Sequence, residues 1–215
     1  LLAVDLNTAM NSRFTQQLLW SILVVALILI GGFSLLNWTH NNSKKLDDFG
    51  PVPQFSLTNE HGQIITLDAF KGHVWVADLI FTHCTSICPM LTSKMFALQQ
   101  ALKDQPDVRL ASFSVDPTHD RPDTLLRYSA MYRANTKQWS FLTGAVPTIY
   151  TVAKMGFHLP VDSVGGEQTT PIIHSPRFVI IDQHGHMRGY YNGAEAASQK
   201  QILSDIETLK DESQE

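Results

Sequence analysis

The chain holds two cysteines, Cys84 and Cys88, both inside FTHCTSICPML (Phe81–Leu91) with three residues between them. Such a pair can serve as a redox dithiol, clamp a soft metal ion, or sit inert in a core. Pro89 suits the start of a helix, where its missing N–H leaves nothing unpaired. Cys84 is therefore expected in a loop and Cys88 in the first helical turn. Free N–H groups and the positive end of the helix dipole stabilise a thiolate there. At this spacing both sulfurs can lie on one side of the turn, within reach of one metal ion or of each other. Thioredoxin-type oxidoreductases use two intervening residues; the third residue here is expected to move Cys84 away from the dipole. A permanent disulfide would close a very small loop and add little stability.

The surrounding pattern has to position these thiols. QFSLTNEHGQIITL alternates around a glycine turn and reads as a hairpin. VWVADLIF (Val74–Phe81) is a near-continuous apolar run that suits a strand buried on both faces. Leu91, Met95, Leu98 and Leu102 then fall at helical spacing. VRLASFSV (Val108–Val115) is a second buried strand, followed by DPTHD and a helix beginning near Pro122. WSFLTG is a short strand, VPTIYTVAKMGF a helix, and 160–170 a loop. RFVIID and MRGYYNG flank a glycine turn as two strands, and EAASQKQILSDIETLK closes the chain as an amphipathic helix. The order predicts an α/β layered domain. A cysteine motif between the first core strand and the next helix is the thioredoxin arrangement, here with an added N-terminal hairpin.

Two thiolates alone make a poor metal site, so a metal reading requires a third donor. Of the nine histidines, His40 lies in a linker, and His61, His184 and His186 on glycine turns. His73, His119 and His158 read as solvated loop residues, and His83 adjoins Cys84 but points to the other face if the strand extends that far. His174 differs. TTPIIHSPRFVIID puts it at the entry of a buried strand, after a long loop that in a thioredoxin-like domain lies against the cysteine motif. Soft sulfur favours Cu(I) and zinc. Structural zinc wants four ligands, so three ligands favour Cu(I). Met90 is a candidate fourth donor, although its spacing suits core packing.

Ahead of this domain, LLWSILVVALILIGGFSLL (Leu18–Leu36) runs nineteen residues without a charge. At about 1.5 Å per residue it spans roughly the 30 Å hydrocarbon core. No small-residue cleavage site follows it, so residues 18–38 are expected to form an uncleaved transmembrane helix. Residues 39–50 then form a polar linker, and 51–212 the thioredoxin-like domain. Residues 1–17 are expected to be a cytoplasmic tail, with 1–9 an over-extended start ahead of Met10. Arg13 before the span and Lys44 and Lys45 after it leave the charge rule undecided; an amine at Met10 would favour the N-terminus inside. Net charge is −4, which gives no basic surplus for nucleic acid.

VWVADLIFTHCTSICPML, SFSVDPTHDRPDTL, FLTG and HSPRFVIIDQHGHMRGYY, together with the N-terminal span, resemble the SCO/SenC family of copper-binding assembly proteins, over about Phe49 to Leu209. The resemblance implies a thioredoxin-like domain anchored to a membrane, with Cu(I) or Cu(II) held by Cys84, Cys88 and His174. It implies that Asp116, in the family's DP loop, lies near the metal and influences its binding without ligating it. Asp120 fits that loop's second acid, or caps the helix near Pro122. His83 is frequent at its place in the family and is not counted as a ligand. Many members have proline directly after the first cysteine; Thr85 here loosens the loop.

The function so implied is a copper chaperone that supplies the dinuclear copper centre in subunit II of cytochrome c oxidase. Its further partners would be a periplasmic thiol reductant or another copper chaperone, and its location the bacterial inner membrane with the domain facing the periplasm. The alternative is a thiol–disulfide reductase that keeps the acceptor cysteines ready, or a redox or copper sensor. A reductase needs no His174, whereas the copper site does.

Overall fold

The apolar run ahead of the cysteines forms β3 (Val74–Ile80), and none of its seven side chains is exposed. The computed structural model describes residues 16–17, 19–32, 45–159 and 176–212. Contacts divide the chain into two units, Leu1–Lys45 and Leu46–Glu215. In the first, residues 19–32 form helix α1, whose apolar side chains from Leu19 to Ile30 are exposed. No helix among the described residues is long and apolar enough to cross a membrane. Leu18 and residues 33–38 of the expected span lie outside the described residues.

In the second unit, β1 (Ser56–Asn59) and β2 (Ile64–Thr66) make the predicted hairpin, Ser56 facing Thr66. β3 leads through α2 (Cys88–Ala101) to β4 (Val108–Ser114), which runs parallel to it, Val74 facing Val108. α3 (Pro122–Met131) and β5 (Trp139–Thr143) follow, then α4 (Val146–Tyr150), β6 (Arg177–Ile181), β7 (Met187–Asn192) and α5 (Ser198–Glu212). The sheet order is β2-β1-β5-β4-β3-β6-β7. Its β4-β3-β6-β7 section, with two parallel strands followed by an antiparallel pair, is the thioredoxin arrangement.

Period-two alternation divides β3 between two cores. Trp75, Ala77 and Leu79 join Phe55, Phe70, Phe113 and Phe157 on one face; Val74, Val76 and Ile80 join Leu91, Met95, Leu98, Ile202 and Ile206 on the other. Leu91, Met95 and Leu98 are fully buried, which at roughly 2 kcal/mol for each side chain is what docks α2 on the sheet. Met90 packs against this second core, as its spacing suggests.

The helix read over VPTIYTVAKMGF departs from regularity. After Tyr150 the backbone widens into a π-turn over Thr151–Gly156, closed by the Phe157 N–H donating to the Val152 carbonyl at 2.7 Å. The wide turn lets Phe157 and Leu159 reach the core, where both are buried. Ahead of Pro51, Leu46 and Asp47 offer their carbonyls to Arg188, which also pairs with Asp182 and Glu212. These residues are bound to the folded unit.

Gly193 ends β7 beside the entry to β6. Its N–H donates to the Pro176 carbonyl at 2.6 Å, and a Cβ there would lie 2.2 Å from the Leu91 side chain. A glycine lets these backbones close against α2, fixing where the strand after the His174 segment begins.

Candidate metal centre

β3 and β4 end together, the Val115 N–H donating to the Ile80 carbonyl at 2.9 Å. The cysteine loop and the acid loop therefore leave the same end of the sheet. A tight turn, Cys84 N–H to Phe81 carbonyl at 3.2 Å, reverses the chain after β3. Cys88 then opens α2, and its N–H donates to the Cys84 sulfur at 3.4 Å. The extra residue thus does not move Cys84 off the helix terminus, because the turn folds its sulfur back onto the first helical N–H. Neither cysteine is in a disulfide; Cys88 is wholly buried and Cys84 is 9% exposed.

The two thiols are electrostatically unlike. Burial raises the Cys84 pKa, but N–H groups of Cys88 and Ser86, the Cys88 thiol and the Ser86 hydroxyl together outweigh it and hold the value at about 6. The Ser86 hydroxyl is 3.7 Å from the sulfur. Burial pushes Cys88 far above the usual thiol range, aided by the Cys84 sulfur and the Asp78 carboxyl. Cys84 is the thiolate at neutral pH, and Cys88 holds its proton. Alkylation of the folded protein by iodoacetamide is expected to modify Cys84 alone, with a rate that climbs through a midpoint near pH 6. A midpoint above pH 8 would contradict this environment. The unfolded thiol ionises near 8.5, so the thiolate adds stability above that pH, and the contribution fades as pH falls through about 6.

The acid loop is tied to the cysteine loop. Asp120, fully buried, accepts from the Thr82 N–H at 3.0 Å, from the Thr82 hydroxyl and from the Ser114 hydroxyl at 2.6 Å. It does not cap α3: Arg121 occupies the cap position, with no side-chain bond to the helix. Its place is set by the donors at the ends of β3 and β4. Asp116 is also buried, and both its oxygens lie against His119 Nδ1, at 3.0 and 2.8 Å. The His119 ring meets the His83 ring at 5.5 Å between centroids. Asp116 is thus linked to the residue next to Cys84 through two imidazoles.

Beneath the pair, Asp78 faces Ser112 across the β3–β4 register, wholly buried. Burial pushes its carboxyl up to about 7, and neither carboxyl oxygen has a hydrogen-bond partner within reach among the described residues. A lone acid in an otherwise apolar strand was visible in VWVADLIF. Thr82 and His119 gave no comparable signal, since Thr82 meets Asp120, and His119 meets His83, only where two loops distant in sequence come together.

His174, the expected third ligand, lies outside the described residues. Among the described residues no group of three or more histidine, cysteine or acidic side chains gathers around one point. The described donors are two sulfurs, one ionised near neutrality, at a helix mouth. Such a set fits a soft, thiophilic ion.

A reduced dithiol at the start of the helix following the central strand of this sheet defines a thioredoxin-like dithiol domain. The SCO1/SenC family profile matches residues 44–211. A SCO1 protein homolog of Bacillus subtilis (strain 168) is 38% identical over 159 residues, 73% of this chain and 81% of that protein. A SCO1/SenC family lipoprotein of Bacillus anthracis str. Ames superposes with a TM-score of 0.70 at 32% identity, covering 76% of this chain and 98% of the other. BsSco, a member of the Sco family of cytochrome c oxidase assembly proteins in which a disulfide switch has been identified, superposes at 0.68 with 36% identity over 77% and 98%. Bradyrhizobium japonicum ScoI with copper bound shares the fold at 21% identity, with a TM-score of 0.62 over 74% and 99%. The chain belongs to the SCO1/SenC family.

Proposed function

We propose that the protein is a membrane-anchored copper chaperone that delivers copper to the dinuclear copper centre in subunit II of cytochrome c oxidase. The observation that carries this reading is the Cys84 thiolate at the helix mouth with the Cys88 sulfur beside it. Copper is the cargo. Cys84, Cys88 and His174 would bind it, with Asp116 acting from the neighbouring loop. Binding releases the Cys88 proton, since a thiolate is the ligand. Soft ligands at a loop–helix junction let an acceptor's thiolates displace them one at a time. A relative 36% identical is a member of a family of cytochrome c oxidase assembly proteins, which supports the choice of acceptor.

Residues 18–38 would anchor the domain in a bacterial inner membrane, facing the periplasm. Nineteen uncharged residues, and exposed apolar side chains along α1, support the anchor. A relative is a lipoprotein, but this sequence has no cysteine near the apolar run to carry a lipid. In an oxidising compartment the dithiol would need a thiol reductant, and copper would arrive from another copper carrier.

A second reading, thiol–disulfide reductase, is favoured by the split between the two thiols. Cys84 thiolate would attack an acceptor disulfide, one acceptor sulfur leaving as thiolate and a mixed disulfide forming. Cys88, once deprotonated, would attack Cys84, releasing the second acceptor thiolate; the protein ends oxidised and the acceptor reduced. His174 separates the readings. His174→Ala is expected to weaken Cu(I) binding on the order of 100-fold, with disulfide formation between Cys84 and Cys88 unimpaired. Chelator competition and thiol titration on the same preparation measure both. Copper transfer tests the function itself: the Cu(I)-loaded protein is mixed with reduced subunit II, the two are separated, and the copper in each is measured. Retention by the loaded protein would count against delivery.

A further inference from the structure

We propose a second metal-binding site, made of two imidazoles, at the rim of the cysteine centre: His83 and His119. It rests on copper as the cargo. The two histidines come from different loops, at the ends of β3 and β4, yet their rings meet edge to face at 5.5 Å with 71° between planes. Each ring is held by its Nδ1. His119 Nδ1 lies 2.8 Å from Asp116 Oδ2, and a carboxylate only accepts, so Nδ1 carries the proton. His83 Nδ1 lies 3.3 Å from the Thr82 hydroxyl oxygen. That hydroxyl spends its hydrogen on Asp120, so its oxygen accepts from His83 Nδ1. Both imidazoles are therefore fixed in the tautomer that leaves a lone pair on Nε2.

A histidine whose Nδ1–H is bound by a carboxylate or other acceptor, with Nε2 free, is the arrangement that orients metal ligands. With metal–nitrogen bonds of about 2.0 Å, two rings sharing one ion have centroids roughly 4.5–6 Å apart, and 5.5 Å falls in that range. The rings are also open to solvent: both residues are exposed, His119 with 54% of its side chain. Imidazole pairs suit copper and zinc, and water would complete the coordination. Because His83 adjoins Cys84 in the chain, an ion held here sits beside the thiolates without using them. The site gives copper a nitrogen-donor foothold next to its sulfur-donor one.

The test uses the full-length detergent-solubilised chain carrying Cys84→Ser, Cys88→Ser and His174→Ala, which removes the sulfur-centred site. Cu(II) is titrated in and read by electron paramagnetic resonance. One equivalent with hyperfine structure from two nitrogens is expected. His83→Asn or His119→Asn added to this background should each abolish that two-nitrogen signal. Asp116→Asn should weaken binding about 10- to 100-fold, and circular dichroism of each variant checks the fold. A background protein that binds no Cu(II), or whose signal survives both histidine substitutions, would overturn the proposal. Failure of the cysteine reading would appear separately, as absence of Cu(I) binding by the unsubstituted protein.

Discussion

Cys84→Ser is expected to lower Cu(I) affinity on the order of 1000-fold, because a hydroxyl does not replace a thiolate on a soft ion. Cys88→Ser should cost as much. The two variants should part company in their reactivity. Cys84→Ser loses fast alkylation at neutral pH, since the remaining thiol is buried and its proton strongly held. Cys88→Ser keeps the N–H at position 88, which donates to the Cys84 sulfur, and so keeps a reactive Cys84. Affinity by chelator competition and alkylation rates by mass spectrometry give the four values. Copper affinity retained in either variant would mean that the pair does not act as one site. Equal reactivity in the two would mean that the helix terminus does not distinguish the thiols.

Asp120→Ala is the substitution expected to cost most stability. It strips the shared acceptor from the Thr82 N–H, the Thr82 hydroxyl and the Ser114 hydroxyl in a site without exposure. Leaving buried donors unpaired costs about 1–3 kcal/mol each, less than additively, so a loss of about 4 kcal/mol is expected. For a domain of this size that corresponds to a fall of about 10 °C in Tm. The damage would reach the centre as well, because Thr82 leads directly into His83 and Cys84. Alkylation of Cys88 should become measurable in Asp120→Ala as the loop loosens. A shift below 2 °C in thermal unfolding would show that Asp120 does not bind the two loops together.

Much of this architecture could be read from periodicity. VWVADLIF and VRLASFSV declared two buried strands because both faces of each are covered, and β3 and β4 pair in parallel over their full length. Leu91, Met95, Leu98 and Leu102 declared α2 and its buried face. Pro122 marked the start of α3 through its fixed backbone angle. Periodicity does not report a widened turn, so Thr151–Gly156 read as ordinary helix. The cysteine spacing placed both thiols at the mouth of α2 but misjudged their electrostatics. The turn at Phe81–Cys84, which depends on hydrogen bonds, restores the contact between sulfur and helix that spacing alone would break. Asp120 had two plausible local roles in sequence, and its actual partners lie 38 and 6 residues away. His119 read as a solvated histidine and is indeed exposed; Asp116, three residues before it, orients its ring, but the His83 ring beside it meets it only in the fold.

The central claim is that this dithiol is a copper site. Its most direct test is a Cu(I) titration of the fully reduced full-length protein against a chromogenic chelator. The protein is expected to remove one equivalent of Cu(I) from the chelator, with no tight binding in Cys84→Ser. Absence of binding while both thiols titrate as reduced would contradict the copper reading and leave the dithiol as a reductase, whose disulfide potential would then define it.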